Sequence, residues 1–131
     1  MIGLDTNVLV RYFAQDDDLQ SPKATKLIEA LSDDAPGFVS LVTLIELVWV
    51  MQVAYKAKKT DVVKILGLLL QTKEFVVQDA EIALQALAVF RDSKAGFSDC
   101  LIERTGHKFG CSHTATFDTD AAATSGMRLL K

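Results

Sequence analysis

The chain has 131 residues, of which half are apolar, and a formal net charge of −3 with a sequence pI of about 5.3. This length favours a single domain over residues 1–131, and the apolar content is enough for a core without disulfides or a structural metal. The acidic balance does not indicate a general nucleic-acid binder, which is usually basic overall, but it does not exclude one, because a local basic strip or a bound metal can supply the attraction.

Short apolar runs alternate with longer amphipathic ones along the chain. Strands are predicted at residues 2–4, 38–39, 75–77, 112–117 and 127–130. Helices are predicted at residues 7–13, after Ser21-Pro22, from Ser40 to about residue 57, after Thr60-Asp61, after Asp79, at residues 97–109 and after Asp118. This alternation predicts an α/β domain with a mostly parallel sheet.

Several of these helices have a predicted buried face. The helix after Thr60-Asp61 is expected to bury residues 63, 66, 67 and 70, and the helix after Asp79 residues 82, 83, 86, 87 and 90. Trp49 is expected in the core, whereas Asp16-Asp17-Asp18 is expected to be a solvated loop.

The compartment is predicted from the cysteines and the N-terminus. Cys100 and Cys111 are too few for a disulfide framework and match no zinc spacing, so we expect buried thiols in a reducing cytoplasm. Met1–Leu4 leads into Asp5 without a basic segment, which argues against a secretory signal. The apolar window 38–55 contains Glu46 near its centre, which favours a buried helix over a membrane span.

Four acidic residues stand at the edge or in the middle of apolar runs: Asp5, Glu46, Asp99 and Asp118. An isolated buried carboxylate takes up a proton or finds a partner, and a divalent cation is the simplest partner that four can share. Oxygen ligands favour magnesium or manganese over zinc. Because ligands bind beyond the carboxyl ends of parallel strands, all four acids can face one crevice.

The ordered set of Asp5-Thr6-Asn7, Ser40 with Glu46, Ser98-Asp99 and Thr116-Phe117-Asp118 resembles the PIN-domain family. The similarity is closest to the small single-domain toxins of the VapC type and covers essentially the whole chain. It implies a three-layer α/β/α fold with a short, mostly parallel central sheet. It also implies a Mg²⁺-dependent endoribonuclease in which Mn²⁺ can substitute, a cognate antitoxin and a homodimer.

The resemblance also implies the site residues. Asp5, Glu46, Asp99 and Asp118 would be the catalytic and metal-binding acids, supported by hydrogen bonds from Thr6, Asn7 and Thr116. Asp120 competes with Asp118 as the fourth acid, because the aromatic residue that often follows the last Asp in the family is absent here. His107 and His113 lack the placement of a general base.

Each acid also has a purely local interpretation. Asp5 and Asp118 can cap a helix or close a turn, and Asp99 can interact with a helix dipole. Glu46 can form a salt bridge to Arg11 or Arg104.

Contacts to an RNA backbone are predicted at Lys56, Lys58 and Lys59, with Arg11, Lys94 and Arg104 as further candidates. The alternative for the lysine cluster is a solvated helix end that complements the dipole.

A second function class remains open: a non-catalytic metal-binding regulatory or interaction module, either receiver-like or an inactive PIN fold. A receiver would need paired acids after the first strand and a lysine after the strand at residues 112–117. Here Asp5 stands alone, and the next lysine is Lys131.

Overall fold

A computed structural model of the protein describes residues 1–124 and 126–131. The chain forms two compact units, Met1–Ala80 and Glu81–Lys131, which are described separately below.

The first unit contains three parallel strands and four helices. Its elements in chain order are β1 (Ile2–Gly3), α1 (Thr6–Ala14), α2 (Gln20–Glu29), β2 (Gly37–Val39), α3 (Leu41–Val53), α4 (Lys59–Gln71) and β3 (Phe75–Val77). The strands lie in the order β1-β2-β3, with Ile2 aligned to Gly37 and Gly37 to Phe75. The predicted strands and their parallel direction are therefore confirmed here.

The second unit contains two helices and a pair of parallel strands. Its elements are α5 (Ala80–Asp92, which starts at the unit boundary), α6 (Phe97–Lys108), β4 (Thr114–Thr116), a 3₁₀ turn (Ala121–Ala123) and β5 (Met127–Leu129). The predicted face of α5 is buried. The helix predicted after Asp118 is wrong in length, because the described residues form a single 3₁₀ turn there.

Two helices begin at different residues from those predicted. Asp17 Oδ1 accepts hydrogen bonds from the backbone N–H groups of Leu19 (3.0 Å) and Gln20 (2.7 Å), so α2 starts before Ser21. These two hydrogen bonds lower the pKa of Asp17. The Ser21 hydroxyl, which was the predicted cap, is buried and donates to the carbonyl of Arg11 at 2.9 Å.

In α4 the predicted cap is also displaced. The Asp61 carboxylate accepts from the backbone N–H of Lys58 at 3.2 Å, so the helix begins at Lys59 rather than after Thr60-Asp61. By contrast, Ser40 caps α3 as predicted, accepting from the backbone N–H of Thr43 at 3.1 Å.

The helices α3 and α4 bury different faces from those expected. The buried residues of α4 are Val62, Leu66 and Leu69. Trp49 of α3 is 63 % exposed, because the buried face is formed by Thr43, Leu44, Leu47, Val48 and Met51. Ten of the thirteen residues of α3 are apolar, so the sequence gives no clear periodicity from which to choose a face. In the described part of the chain, no helix is long and apolar enough to cross a membrane.

The corrected face of α4 can be tested with two adjacent leucines. Leu69 is fully buried and Leu68 is 56 % exposed. We expect Leu69→Ala to lower the free energy of unfolding by about 2–5 kcal/mol, and Leu68→Ala by less than about 1 kcal/mol. Urea denaturation followed by circular dichroism measures both, and equal losses would contradict the assigned face.

Candidate active site

Thr6 hydrogen-bonds two of the four predicted acids. Its backbone N–H donates to Asp5 Oδ1 at 2.8 Å, and its hydroxyl donates to Glu46 Oε1 at 3.0 Å. The Thr6 side chain is buried, whereas both carboxylates are exposed. One residue therefore brings together two acids that are some forty residues apart in sequence.

Local chemistry explains this arrangement. Asp5 follows β1 in an extended conformation (φ −78°, ψ 158°) and is the N-cap of α1, a position that favours Asp. The rotation of α3 that buries Leu44, Leu47 and Val48 leaves Glu46 on the opposite face. The Thr6 hydroxyl then ties the start of α1 to the second turn of α3.

The second unit holds the other two acids. Asp99 lies in the first turn of α6, where its Oδ2 accepts from the backbone N–H of Gly96 at 3.3 Å. Asp118 follows β4, and its Oδ1 accepts from the N–H groups of Asp120 (2.8 Å) and Ala121 (3.2 Å). The Thr116 hydroxyl oxygen accepts from the N–H of Asp118 at 3.0 Å. Asp120 contributes its backbone to this turn.

The environment predicted for these acids is wrong. Asp5, Glu46 and Asp118 are exposed and Asp99 is half-buried, so none is an isolated carboxylate in an apolar interior. Leu4, Leu47 and Cys100, which adjoin Asp5, Glu46 and Asp99 in sequence, are buried, whereas Phe117 before Asp118 is itself exposed. Attraction for a cation would therefore come from the proximity of carboxylates and not from their burial.

Each acid has an oxygen to spare: Asp5, Asp99 and Asp118 after accepting from backbone N–H groups, and Glu46 after accepting from the Thr6 hydroxyl. Within the described residues, the hydrogen bonds that the four acids accept fall on one oxygen of each carboxylate. Metal-binding carboxylates are commonly oriented by such hydrogen bonds. Asp17 and Asp61 cap α2 and α4 in the same way, so the pattern alone does not define a site. The feature that distinguishes Asp5 and Glu46 is their shared residue, Thr6.

The carboxylate oxygens around Thr6 suit a hard divalent cation as ligands. Magnesium is typically held by one or two carboxylates and keeps several waters, and the Asp5–Glu46 pair offers two carboxylates. Among residues 1–124 and 126–131, no group of three or more His, Cys, Asp or Glu side chains is placed to hold a metal ion.

Arg11 belongs to a network that sequence reasoning missed. Its guanidinium donates to Gln20 Oε1 (2.8 Å), Asp16 Oδ1 (3.3 Å) and the Tyr55 hydroxyl (3.2 Å). Tyr55 in turn donates to Asp16 Oδ2 at 2.7 Å, and this hydrogen bond raises the pKa of Tyr55. Asp16 is thus the acid paired with Arg11, in place of Glu46. The expectation that Asp16 and Asp17 are merely solvated is also wrong.

Arg104 pairs with its neighbour Glu103. Two hydrogen bonds, of 2.8 and 2.7 Å, join the guanidinium to the carboxylate and raise the pKa of Arg104. Glu103 is only 4 % exposed. Sequence reasoning overlooked Glu103, although a Glu-Arg pair directly after Leu101-Ile102 was a usable signal.

Of the other predicted cations, Lys56, Lys58 and Lys94 lie in connections between helices and Lys59 is the first residue of α4. Lys56 and Lys58 are exposed and Lys59 is half-buried, in the segment that leads into α4. Because Lys58 and Lys59 stand at a helix N-terminus, the dipole of α4 does not stabilise them. Lys94 is exposed between α5 and α6, and His107 and His113 are also exposed.

The family model for the PIN domain matches residues 2–127. This chain belongs to the PIN-domain family. A comparison with curated proteins finds none that matches. PIN domains are generally nucleases, which supports a hydrolase, and they generally use divalent metals. The family match, the six helices of the described residues and the short parallel strands confirm the predicted α/β/α PIN fold class.

The hydrogen bond from Thr6 to Glu46 is the contact that a variant can remove most cleanly. Thr6→Val deletes the hydroxyl with little change in shape, and we expect the free energy of unfolding to fall by about 0.5–1.5 kcal/mol. Thr6→Ser retains the donor and serves as the control. A double-mutant cycle with Glu46→Ala, which removes the acceptor, is measured by urea denaturation and gives the coupling energy. Strictly additive effects would contradict the contact.

Proposed function

We propose that this PIN domain is a magnesium-dependent endoribonuclease and the toxin of a type II toxin–antitoxin pair in the cytoplasm. The observation that supports this proposal most is the joint hydrogen bonding of Asp5 and Glu46 to Thr6, in a chain whose family is generally nucleolytic. The proposal keeps Asp99 and Asp118 of the second unit as further candidate catalytic and metal-binding acids. Mn²⁺ replaces Mg²⁺ as a second oxygen-seeking cation.

The residues of the chain have distinct roles in this reaction. When bound, the cation activates a water and offsets charge on the phosphate. Asp5 and Glu46 would hold it, and Thr6 fixes the direction of both carboxylates. The exposed Lys56 and Lys58 attract the phosphate backbone of RNA from the solvent. His107 and His113 have no role as a base.

Two protein partners complete the proposal. A cognate antitoxin would inhibit by placing a basic side chain beside the acidic residues, which displaces the cation. A second copy of the chain would cover exposed apolar side chains of α3, where Val42, Trp49 and Val53 recur at helical spacing.

Amide variants test the catalytic assignment without removing the caps. Asn caps a helix about as well as Asp, so Asp5→Asn removes charge while preserving the start of α1. We expect Asp5→Asn, Glu46→Gln, Asp99→Asn and Asp118→Asn each to slow cleavage of total RNA by roughly 100-fold or more. Cleavage is measured with Mg²⁺, with Mn²⁺ and with EDTA.

A matched control separates catalysis from capping. Asp17 also caps a helix with one oxygen and is no part of the proposed site, so Asp17→Asn should leave cleavage unchanged. Asp120→Asn compared with Asp118→Asn identifies the fourth acid. Full activity in Asp5→Asn would rule out the assignment, and a folded wild-type protein without metal-dependent cleavage would favour an inactive PIN fold.

Metal binding can be tested without any RNA. A cation that binds the folded protein at about 100 times its dissociation constant adds about 2.7 kcal/mol to the free energy of unfolding. We expect Mg²⁺ or Mn²⁺ to raise the thermal midpoint of the wild type, and to raise that of Asp5→Asn and Glu46→Gln much less. Asp61→Asn, at a cap outside the site, should respond like the wild type. Equal shifts in all four proteins would argue against this site.

A further inference from the structure

A groove between α1 and α2 starts at Asn7, close in sequence to the proposed active site. It has a volume of about 280 Å³, near the small end of the range for ligand pockets. Its α1 side includes Asn7, which is only two residues after Asp5, and Arg11 one helical turn further along. The groove therefore leads away from the N-terminus of α1, where Asp5 and Thr6 lie.

The lining of the groove combines charge, amides and an apolar surface. It is formed by Asn7, Val8, Arg11, Gln20, Lys23, Ala24 and Leu27. Two of these side chains are cationic, two carry amides and three are apolar, and none of the lining residues in the described part of the chain is acidic. This composition suits a ligand that has an anionic group, a polar edge and a flat apolar face.

We propose that this groove binds one nucleotide of a single-stranded RNA substrate, next to the phosphate that is cleaved. This inference rests on the proposed function and adds a subsite to it. The base would lie against Val8 and Leu27, and its polar edge would face the amides of Asn7 and Gln20. The neighbouring phosphate would be held by Lys23.

The amides are suited to reading a base. Proteins recognise unpaired RNA by covering the faces of bases and by hydrogen bonding to their edges. Gln20 Oε1 accepts from Arg11 Nε at 2.8 Å, which fixes the amide and leaves its Nε2 group as a donor. Asn7 is exposed on the first turn of α1 and offers both a donor and an acceptor.

The charges have separate tasks. Arg11 is already paired with Asp16 and Tyr55, so its main contribution is to hold Gln20 in place. Lys23 is exposed on α2 and is the cation that a phosphate can reach. Tyr55 joins the groove to the segment that carries Lys56 and Lys58, because its hydroxyl contacts Arg11. A strand leaving the groove would meet further positive charge there.

The test measures RNA binding by the Asp5→Asn protein. This variant is expected to cleave too slowly to interfere, so that binding is measured without cleavage. The probe is a short fluorescein-labelled single-stranded RNA of mixed sequence, followed by fluorescence anisotropy over a series of salt concentrations. Lys23→Ala is compared with Lys26→Ala, since Lys26 is an exposed lysine of the same helix outside the groove. Leu27→Ser is compared with Leu19→Ser, since Leu19 is 77 % exposed and also outside it.

We expect Lys23→Ala, which removes a phosphate contact, and Leu27→Ser, which removes a base contact, each to weaken binding by roughly fivefold or more; for Leu27 this is the low end of a lost base contact. Lys23→Ala should also reduce the slope of log affinity against log salt by about 0.7, the value for one phosphate of a single strand, and Leu27→Ser should not. Gln20→Ala should flatten the preference among four homopolymeric RNAs. Lys26→Ala and Leu19→Ser should bind like the parent protein.

Other outcomes would overturn the inference. If Lys23→Ala matches Lys26→Ala and Leu27→Ser matches Leu19→Ser, the groove does not bind RNA, and a protein segment becomes its better occupant. The absence of RNA binding in every variant also rejects it. Cleavage by the otherwise wild-type chain is recorded separately, so that a failed subsite with intact metal-dependent cleavage is distinguished from a failed nuclease assignment.

Discussion

The interaction on which the proposed site depends is the pair of hydrogen bonds that Thr6 donates, one to Asp5 and one to Glu46. Two carboxylates fixed around one residue repel each other, and they keep their positions because Thr6 belongs to both contacts. The backbone N–H is available since it lies at the start of α1, where it has no partner within the helix. The hydroxyl can reach Glu46 because α1 packs on α3 and the Thr6 side chain is buried. Both acids therefore owe their place to a residue that carries no charge.

Helix capping and metal binding are compatible uses of one carboxylate. Asp5, Asp99 and Asp118 each satisfy backbone N–H groups at the start of a helix or turn, so the local interpretations of these acids describe real contacts. Such contacts also help a site that must collect negative charge, because the partial positive charge of a helix N-terminus offsets part of the repulsion between acids. A cap restricts the rotation of the side chain, which lowers the entropy that a metal ligand loses on binding.

The strand at Phe75–Val77 and the face of α5 were predictable from the sequence because their patterns are strong: two adjacent valines in the strand, and an amphipathic repeat in α5. The face of α3 was not predictable, since an almost wholly apolar helix gives no direction and only packing decides that Trp49 is exposed. At α2 both Asp17 and Ser21 are suitable capping residues. The Ser21 hydroxyl instead donates to the Arg11 carbonyl, so Asp17 caps the helix. The order of the four acids identified the family, but apolar neighbours in sequence gave the wrong burial, since burial depends on which face of an element a residue occupies.

An acidic chain that acts on RNA faces an electrostatic difficulty, because the carboxylates that hold a cation also repel the phosphates of the substrate. A net charge of −3 gives no general attraction, so the positive charges must be placed along the path of the strand. The first unit has positive charges that fit the proposed path: Lys23 lines the groove, Arg11 is fixed by Gln20 and Asp16, and Lys56 and Lys58 follow Tyr55 in sequence. Pairing Arg11 with Asp16 lowers its long-range attraction but fixes its geometry. Long-range attraction is then left to flexible, exposed lysines, while the paired arginine orients the amide that would recognise a base. On this reasoning, salt should weaken the capture of RNA more than it changes the choice of base.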